Sequence, residues 1–254
     1  MAIGTFSGAF AFDHRAKGNP VADAYLYYNP ATGYSGSGTT LTDLTGNNRH
    51  ATIVNSPTYT SGSGGYFTFD GTSNQYMYSP NIYNGSGNKN HTIEIWCNPS
   101  AMTGAGTNLM SDASQGNAGT LYHNAGFQFV GSSPNYQYIS NLWANGAGVQ
   151  RVINGTGSFL NSWKQIVRTY DGTTLTSYIN GAAGGTGALS WNPPWESVSG
   201  QWWLVFCGGD GTYYSGTAAN LFAGKMGIIR VYTRALSASE VAQNYSVSKA
   251  AYGL

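Results

Sequence analysis

Charge is what this chain has least of. Asp, Glu, Lys and Arg make up 8% of its 254 residues, against roughly 25% in an ordinary soluble protein. Disorder is not the explanation, because disordered chains are poor in aromatics and here aromatics reach 14%. A membrane helix is excluded as well, since no stretch approaches the roughly 18 continuous apolar residues that a span needs. The eleven Lys and Arg are dispersed without a basic stripe, which removes the electrostatic footprint of nucleic-acid binding. Cysteine is nearly absent. Cys97 and Cys207 each close an apolar run, TIEIWC and WWLVFC, and are expected as buried free thiols; a disulfide would need adjacent strand ends. The ten acidic residues are spread so that none lies two positions from another. His14, His50, His91 and His123 have no metal-ligand spacing. No Ser sits in a G-x-S-x-G elbow, and the Gly-rich runs precede no helix, so nucleophile and phosphate-loop chemistries lack a motif. The opening MAIGTFSGAFAFDH lacks the basic start and long apolar core of an export signal.

What the chain does have is glycine, 36 residues, and tyrosine, 19. With Ser, Thr and Asn they make an uncharged surface suited to hydrogen-bonded contact with sugars or with other subunits. Periodicity supplies the architecture. In WKQIVRTYDGTTLTSYING, Ile166, Arg168 and Tyr170 alternate with Gln165, Val167 and Thr169, the period of an extended strand. Leu175, Ser177 and Ile179 then alternate with Thr174, Thr176 and Tyr178. Asp171-Gly172 and Asn180-Gly181 stand where the chain must reverse, and both pairs suit hairpin turns. HTIEIWCNP reads as a strand with Ile93, Ile95 and Cys97 on one face and Glu94 and Trp96 on the other. A hairpin is expected around Asp70-Gly71, shorter strands near 107–111, 119–130, 136–142 and 149–153, and strong strands in GQWWLVFCG and FAGKMGIIRVYTR. Strands this frequent, with turn signals between them, indicate a sandwich. One helix is expected near 238–245: Ser237 with Glu240 forms a capping box, and Leu236 with Val241 a hydrophobic staple.

Taken in order, FTFDGTSNQYMYS, HTIEIWCNP, WKQIVRTYDGTTLTSYING and FAGKMGIIRVYTRALSASEVAQNY, spanning roughly residues 66–245, resemble the laminin-G-like branch of the concanavalin-A-like jelly rolls. The closing NYSVSKAAYGL is similar to the ends of such modules in structural proteins of tailed phages. The resemblance implies an all-β fold, a two-sheet antiparallel jelly-roll sandwich with one short C-terminal helix. Residues 1–20 are then an N-terminal arm and 21–254 the sandwich domain. It further implies a non-enzymatic virion structural protein, a decoration, collar or fibre component displaying a lectin-like module, located in the virion. The absent export signal fits release by host lysis. The alternative is a free or surface carbohydrate-binding adhesin, extracellular or on the cell surface. A glycoside hydrolase is disfavoured: glucanase relatives carry Glu-x-Asp-x-x-Glu on one strand, retaining chemistry needs carboxylates about 5 Å apart, and here Glu94 is alone on its strand.

Candidate site residues follow from side-chain chemistry. In SWNPPWESVSGQWW, Trp191 and Trp195 flank two stiffening prolines, with Asn192 and Glu196 beside them to bind hydroxyls. Aromatic faces stack on sugar rings; the competing reading has these tryptophans covering the sandwich edge or packing on a neighbouring subunit. Tyr136 and Tyr138 in NYQY form a second glycan-binding candidate. Relatives often bind one calcium ion at the sandwich rim, which makes the loop acids Asp112 and Asp210 candidate calcium ligands; the competing reading is that each caps a turn. Asp70 and Asp171 need no ligand to explain them. Sequons at Asn84, Asn90, Asn154 and Asn244 carry no weight in a bacterial host. The arm holds Phe6, Phe10 and Phe12, too few residues to bury three rings unaided, and such a patch on a monomer is a liability. It is expected to dock on other virion proteins or on copies of the chain itself, or else to fold back as an edge strand.

Overall fold

The structure, a computed structural model, describes residues 21–80, 90–102, 107–114, 125–132, 135–144, 148–157, 159–188, 202–208 and 221–254. The strands are β1 Leu26–Tyr28, β2 Thr40–Leu41, β3 Ala51–Val54, β4 Thr58–Thr60, β5 Tyr66–Asp70, β6 Tyr76–Tyr78, β7 His91–Ala101 and β8 Thr107–Ser114. They continue as β9 Ala125–Ser132, β10 Asn135–Ala144, β11 Gly148–Gly157, β12 Lys164–Tyr170, β13 Thr174–Ile179, β14 Ala182–Ala188, β15 Trp202–Phe206 and β16 Ala223–Tyr232. Two eight-stranded sheets result. The first runs β14-β13-β12-β7-β16-β5-β4 with β1 also on β16, and the second runs β11-β10-β9-β8-β15-β6-β3-β2. The described pairings are antiparallel, the two-sheet sandwich that the alternation foretells.

The meander is as expected, with Ile166 opposite Ile179 and Tyr170 opposite Leu175. Its two turns work differently. Asn180 and Gly181 both take positive φ, 53° and 78°, the primed-turn geometry of a two-residue loop. At the other turn only Gly172 does, at 97°, while the Asp171 carboxylate accepts from the N–H groups of Thr173 and Thr174 at 2.8 and 2.7 Å.

The strands near 107–111, 136–142 and 149–153 appear as the longer β8, β10 and β11, because pairing across the sheet carries them past the local apolar signal. The strand expected over 119–130 is described only from Ala125. A four-residue helix, α1 Pro30–Gly33, was not expected. Asn29 caps it by accepting from the Ala31 N–H, with Pro at its start, so NPATG carried a readable signal. The expected late helix is α2 Ala238–Ser248, with both halves of the capping box formed. It extends three residues past 245, and a 3-10 turn over Lys249–Tyr252 follows.

There are two apolar layers. Between the sheets lie Phe67, Phe69, Phe127, Phe129, Phe206, Ile93, Ile95 and Cys97. Between the first sheet and α2 lie Trp96, Val167, Tyr178, Tyr232, Leu236, Val241 and Tyr252. The residues of β7 therefore divide as the alternation predicts, but both divisions are buried, and the first sheet is covered on both sides over β7 and β12. Cys97 and Cys207 are free and buried; burial pushes both thiols up, which leaves them inert.

Candidate functional site

The outer faces of the two sheets differ in what they can offer a ligand. On the first sheet, Glu94 and Arg230 sit side by side on β7 and β16. They pair at 2.7 Å with side chains 1% and 0% exposed. Glu94 Oε1 also accepts from Trp96 Nε1 and Gln165 Nε2, each at 3.0 Å, and Oε2 accepts from Asn244 Nδ2 at 2.8 Å. Arg230 donates to Ser248 Oγ at 3.0 Å, and the Tyr252 hydroxyl accepts from the Ile228 N–H at 2.9 Å. Asn244, Ser248 and Tyr252, four residues apart, thus fasten the C-terminal helix and turn onto the sheet. A carboxylate accepting four donors out of reach of solvent neither donates a proton nor attacks a substrate. This face is architectural, and Asn244, although in a sequon, is part of it.

On the second sheet, register pairs build one row across all eight strands: Thr40, Thr52, Tyr78, Val205, Ser111, Gly126, Asn141 and Arg151. Residues directly opposite share a face. Met77, Phe206, Met110 and Phe127 belong to the inter-sheet core, so Tyr78, Val205, Ser111 and Gly126 lie on the outer face. Its centre is small and closed to solvent. Val205 is 0% exposed and Ser111 8%, and a Cβ on Gly126 would come no closer than 3.5 Å to its nearest neighbour, the Met110 carbonyl. Half-exposed Tyr76 and Tyr78 stand to one side, ring centroids 6.2 Å apart. On the other side Gln128 donates to Asn108 at 2.7 Å, with Val130 and Gln137 opposite one another beyond. The result is a half-exposed tyrosine pair and an amide pair around a centre closed to solvent at Val205. Among the described side chains no carboxylate or cysteine stands on this face.

The sequence-based candidates fare unevenly. Trp191, Asn192, Trp195, Glu196, Asp210, Phe6, Phe10 and Phe12 lie outside the described residues. Asp112 is in β8, opposite Leu204, a strand position rather than the expected loop. Tyr136 is placed in β10 opposite Gly131 of β9. Tyr138 must be corrected. It is 0% exposed, with its ring 5.7 Å from Phe127 and 6.0 Å from Phe129, so core phenylalanines occupy the space a sugar would need. Sequence reading missed Tyr76 and Tyr78. The alternation in QYMYS, with Met77 inward, was the available signal.

Among the described residues no group of three or more His, Cys, Asp or Glu side chains is placed to hold a metal ion. The most enclosed loop acid, Asp43, accepts from Tyr27 N, Thr45 N and Oγ1, and Arg49 N. Those hydrogens point where a cation would have to sit. Asp70 likewise accepts from the Thr72 and Ser73 N–H groups at 2.7 and 2.8 Å, and the Ser73 hydroxyl together with these N–H groups holds its carboxyl down to about 2.

Against known proteins, a family model described as the Concanavalin A-like lectin/glucanases superfamily matches residues 70–242. No curated protein sequence matches the chain. Among solved structures, the Botulinum neurotoxin type G receptor binding domain superposes with a TM-score of 0.62 at 14% identity, over 89% of this chain and 51% of that one. The binding domain of Paraclostridial mosquitocidal protein 1 gives 0.63 at 14% identity, over 88% and 52%. Domain 4 of a GH43 extracellular arabinanase from Geobacillus stearothermophilus, in complex with arabinotriose, gives 0.61 at 16% identity, over 88% and 98%. The chain spans about half the length of the two toxin domains and nearly all of the arabinanase domain. At these identities the likeness is one of fold.

Proposed function

Because the chain belongs to the concanavalin A-like lectin/glucanase superfamily, we propose that it is a non-enzymatic glycan-binding module whose ligand lies along the outer face of the second sheet. The observation that carries this reading is the half-exposed pair Tyr76 and Tyr78 on that face, beside small, uncharged residues. A pyranose or furanose ring has an apolar C–H face that stacks on tyrosine and hydroxyls that pair with amides. The amide pair Asn108–Gln128 stands at the opposite margin. Hydrolysis requires two positioned carboxylates; this face has none among the described side chains, and Glu94 is saturated on the other. The solved arabinanase domain with arabinotriose is an example of this fold holding a saccharide. A glycan array is the test. Binding abolished by Tyr76→Ala and Tyr78→Ala supports the reading; binding unchanged by both, or release of reducing sugar from a bound glycan, removes it.

The module is further proposed to be carried on a virion, as a decoration, collar or fibre component. Support comes from the low charge and from the likeness of NYSVSKAAYGL to phage structural modules. That likeness is partly architectural, since Asn244, Ser248 and Tyr252 are its buried contacts. Phe6, Phe10 and Phe12 are proposed to anchor the chain to another virion protein or another copy. Each ring contributes roughly 1.5–3 kcal/mol when fully buried. Mass spectrometry of purified particles decides between this and a free or surface adhesin. Deleting residues 2–18 tests the arm: lost assembly at unchanged melting temperature supports docking, and lost monomer stability assigns the arm to its own sandwich.

A further inference from the structure

Helix α2 and the turn after it cover the first sheet over Trp96, Val167 and Ile228, and they leave one end of its outer face open. Register places a single row across four strands there. Thr58 of β4 is opposite Thr68 of β5, Thr68 is opposite Lys225 of β16, and Lys225 is opposite Asn98 of β7. The residues one step along these strands, Phe67, Met226 and Cys97, belong to the inter-sheet core, so the row faces outward. It crosses three strand spacings, roughly 14 Å. Unlike the centre of the second sheet it is open to solvent: Thr58 is exposed, and Thr68, Lys225 and Asn98 are half-exposed.

Two aromatic rings border the row. Trp163 precedes Lys164, which is opposite Cys97, so Trp163 falls beside Asn98. Its ring lies 4.3 Å from Tyr252 and 5.6 Å from Tyr66, and Trp163 and Tyr66 are both half-exposed. The Lys225 ammonium stands 5.1 Å from the Tyr66 ring centroid, a contact that holds the cation over the sheet and leaves its three N–H donors unspent. Among the described residues Lys225 has no carboxylate partner, and neither Trp163 Nε1, the Tyr66 hydroxyl nor the side chains of Asn98 and Thr68 make a hydrogen bond. The acid closest along β5 is Asp70, whose Oδ1 is taken by the Thr72 and Ser73 N–H groups. The face is therefore rich in unspent donors, one of them charged, and offers no open carboxylate among its described side chains. Its complement is a ligand rich in acceptors and carrying negative charge. In a chain with 8% charged residues, an ammonium left without a counter-charge between two half-exposed aromatic rings and an amide is a specificity element.

We propose that this row is a second saccharide-binding site, on the opposite sheet from Tyr76 and Tyr78, where Lys225 recognises the carboxylate or sulfate of an acidic saccharide lying against Trp163 and Tyr66. It stands or falls separately from the site on the second sheet. The test is retention of the full chain on immobilised polygalacturonate and dextran sulfate, beside their neutral counterparts, methyl-esterified pectin and dextran. Polyglutamate serves as a polyanion that carries no sugar. Lys225→Gln removes the cation, and Trp163→Phe removes the indole N–H while keeping an aromatic ring against Tyr252. Melting temperatures within a few degrees of the parent show that both variants are folded. The expected result is at least tenfold stronger retention on one acidic polymer than on its neutral counterpart. That preference is lost in Lys225→Gln, weakened in Trp163→Phe and kept when Tyr76→Ala and Tyr78→Ala are combined. The polymer that is retained names the acidic group. Equal retention on acidic and neutral members, an acidic preference that survives Lys225→Gln, or equal retention on polyglutamate overturns the assignment. Loss of the preference in the double tyrosine variant moves acid recognition to the second sheet and overturns this inference alone. A concentration-dependent dimer that Lys225→Gln disperses gives the face to a second copy of the chain and overturns it too.

Discussion

The two sheets put opposite things on their outer faces. On the first, a glutamate and an arginine are taken out of water and covered by a helix. On the second, the row from Thr40 to Arg151 is uncharged over its first seven positions, with half-exposed Tyr78 in it and Tyr76 beside it. One face spends scarce charge on holding a C-terminal segment in place. The other leaves neutral side chains, Tyr76 and Tyr78 among them, half-exposed at its margin. The same backbone alternation produces both, because each strand also sends every second residue into the shared inter-sheet core. A bound partner can thus read one face without disturbing what locks the other.

The contrast breaks most sharply at Glu94. Replacing it with Gln leaves Arg230 buried without its counter-charge, and losing one partner of a buried pair costs about 3–5 kcal/mol. Urea unfolding of Glu94→Gln should show that loss, while Glu94→Leu combined with Arg230→Met should recover most of it. A loss below about 1 kcal/mol would mean that the pair does not hold the helix. The next effect is on binding. Tyr76→Ala with Tyr78→Ala should weaken glycan retention at least tenfold, about 1.4 kcal/mol, with little change in unfolding midpoint. A large stability loss would instead make that face architectural as well.

Ser237→Ala removes the helix cap and should cost about 1 kcal/mol, read by denaturation, with glycan retention unchanged. The smallest effect is with pH. The Arg234 guanidinium bonds to Glu240 at 2.6 Å, and this with the Ser237 N–H holds its carboxyl down to about 2 from an ordinary 4.5. A lowered folded value means that the contribution is whole above 4.5 and is lost as pH falls toward about 2. Since the group is partly exposed, the loss is modest and weakens with salt. Thermal melts across that window should fall less for Glu240→Gln than for the parent. A parallel decline in both would assign the acid sensitivity elsewhere.

What could be read in the sequence was what local spacing encodes. The alternation of β7, the Asn180-Gly181 reversal and the Ser237–Glu240 capping box are each settled within a few residues. What could not be read depends on partners far along the chain. Glu94 looked solitary because Arg230 is 136 positions away. Tyr136 and Tyr138 looked like an exposed pair because NYQY alternates equally well in either orientation. Pairing with β9 decides it, since Tyr138 falls opposite Phe129, a core residue. That the first sheet is covered on both faces could not be read either, because nothing local shows that α2 lies over Val167 and Trp96. Tyr76 and Tyr78 went unnoticed for the converse reason: their alternation is visible, but its importance comes from Val205, Ser111 and Gly126 arriving beside them from other strands.

That row also sets how the protein can change. Its eight residues come from eight different strands, so no two are neighbours in sequence. The fold of each strand is secured by its inward residues, which the row does not use. Positions on adjacent strands are roughly 5 Å apart and must be altered together, whereas those two or more strands apart approach the separation at which substitutions act independently. Recognition can therefore drift one step at a time, each step leaving the sandwich foldable, and diversity at these positions can accumulate among descendants while the core beneath them stays the same.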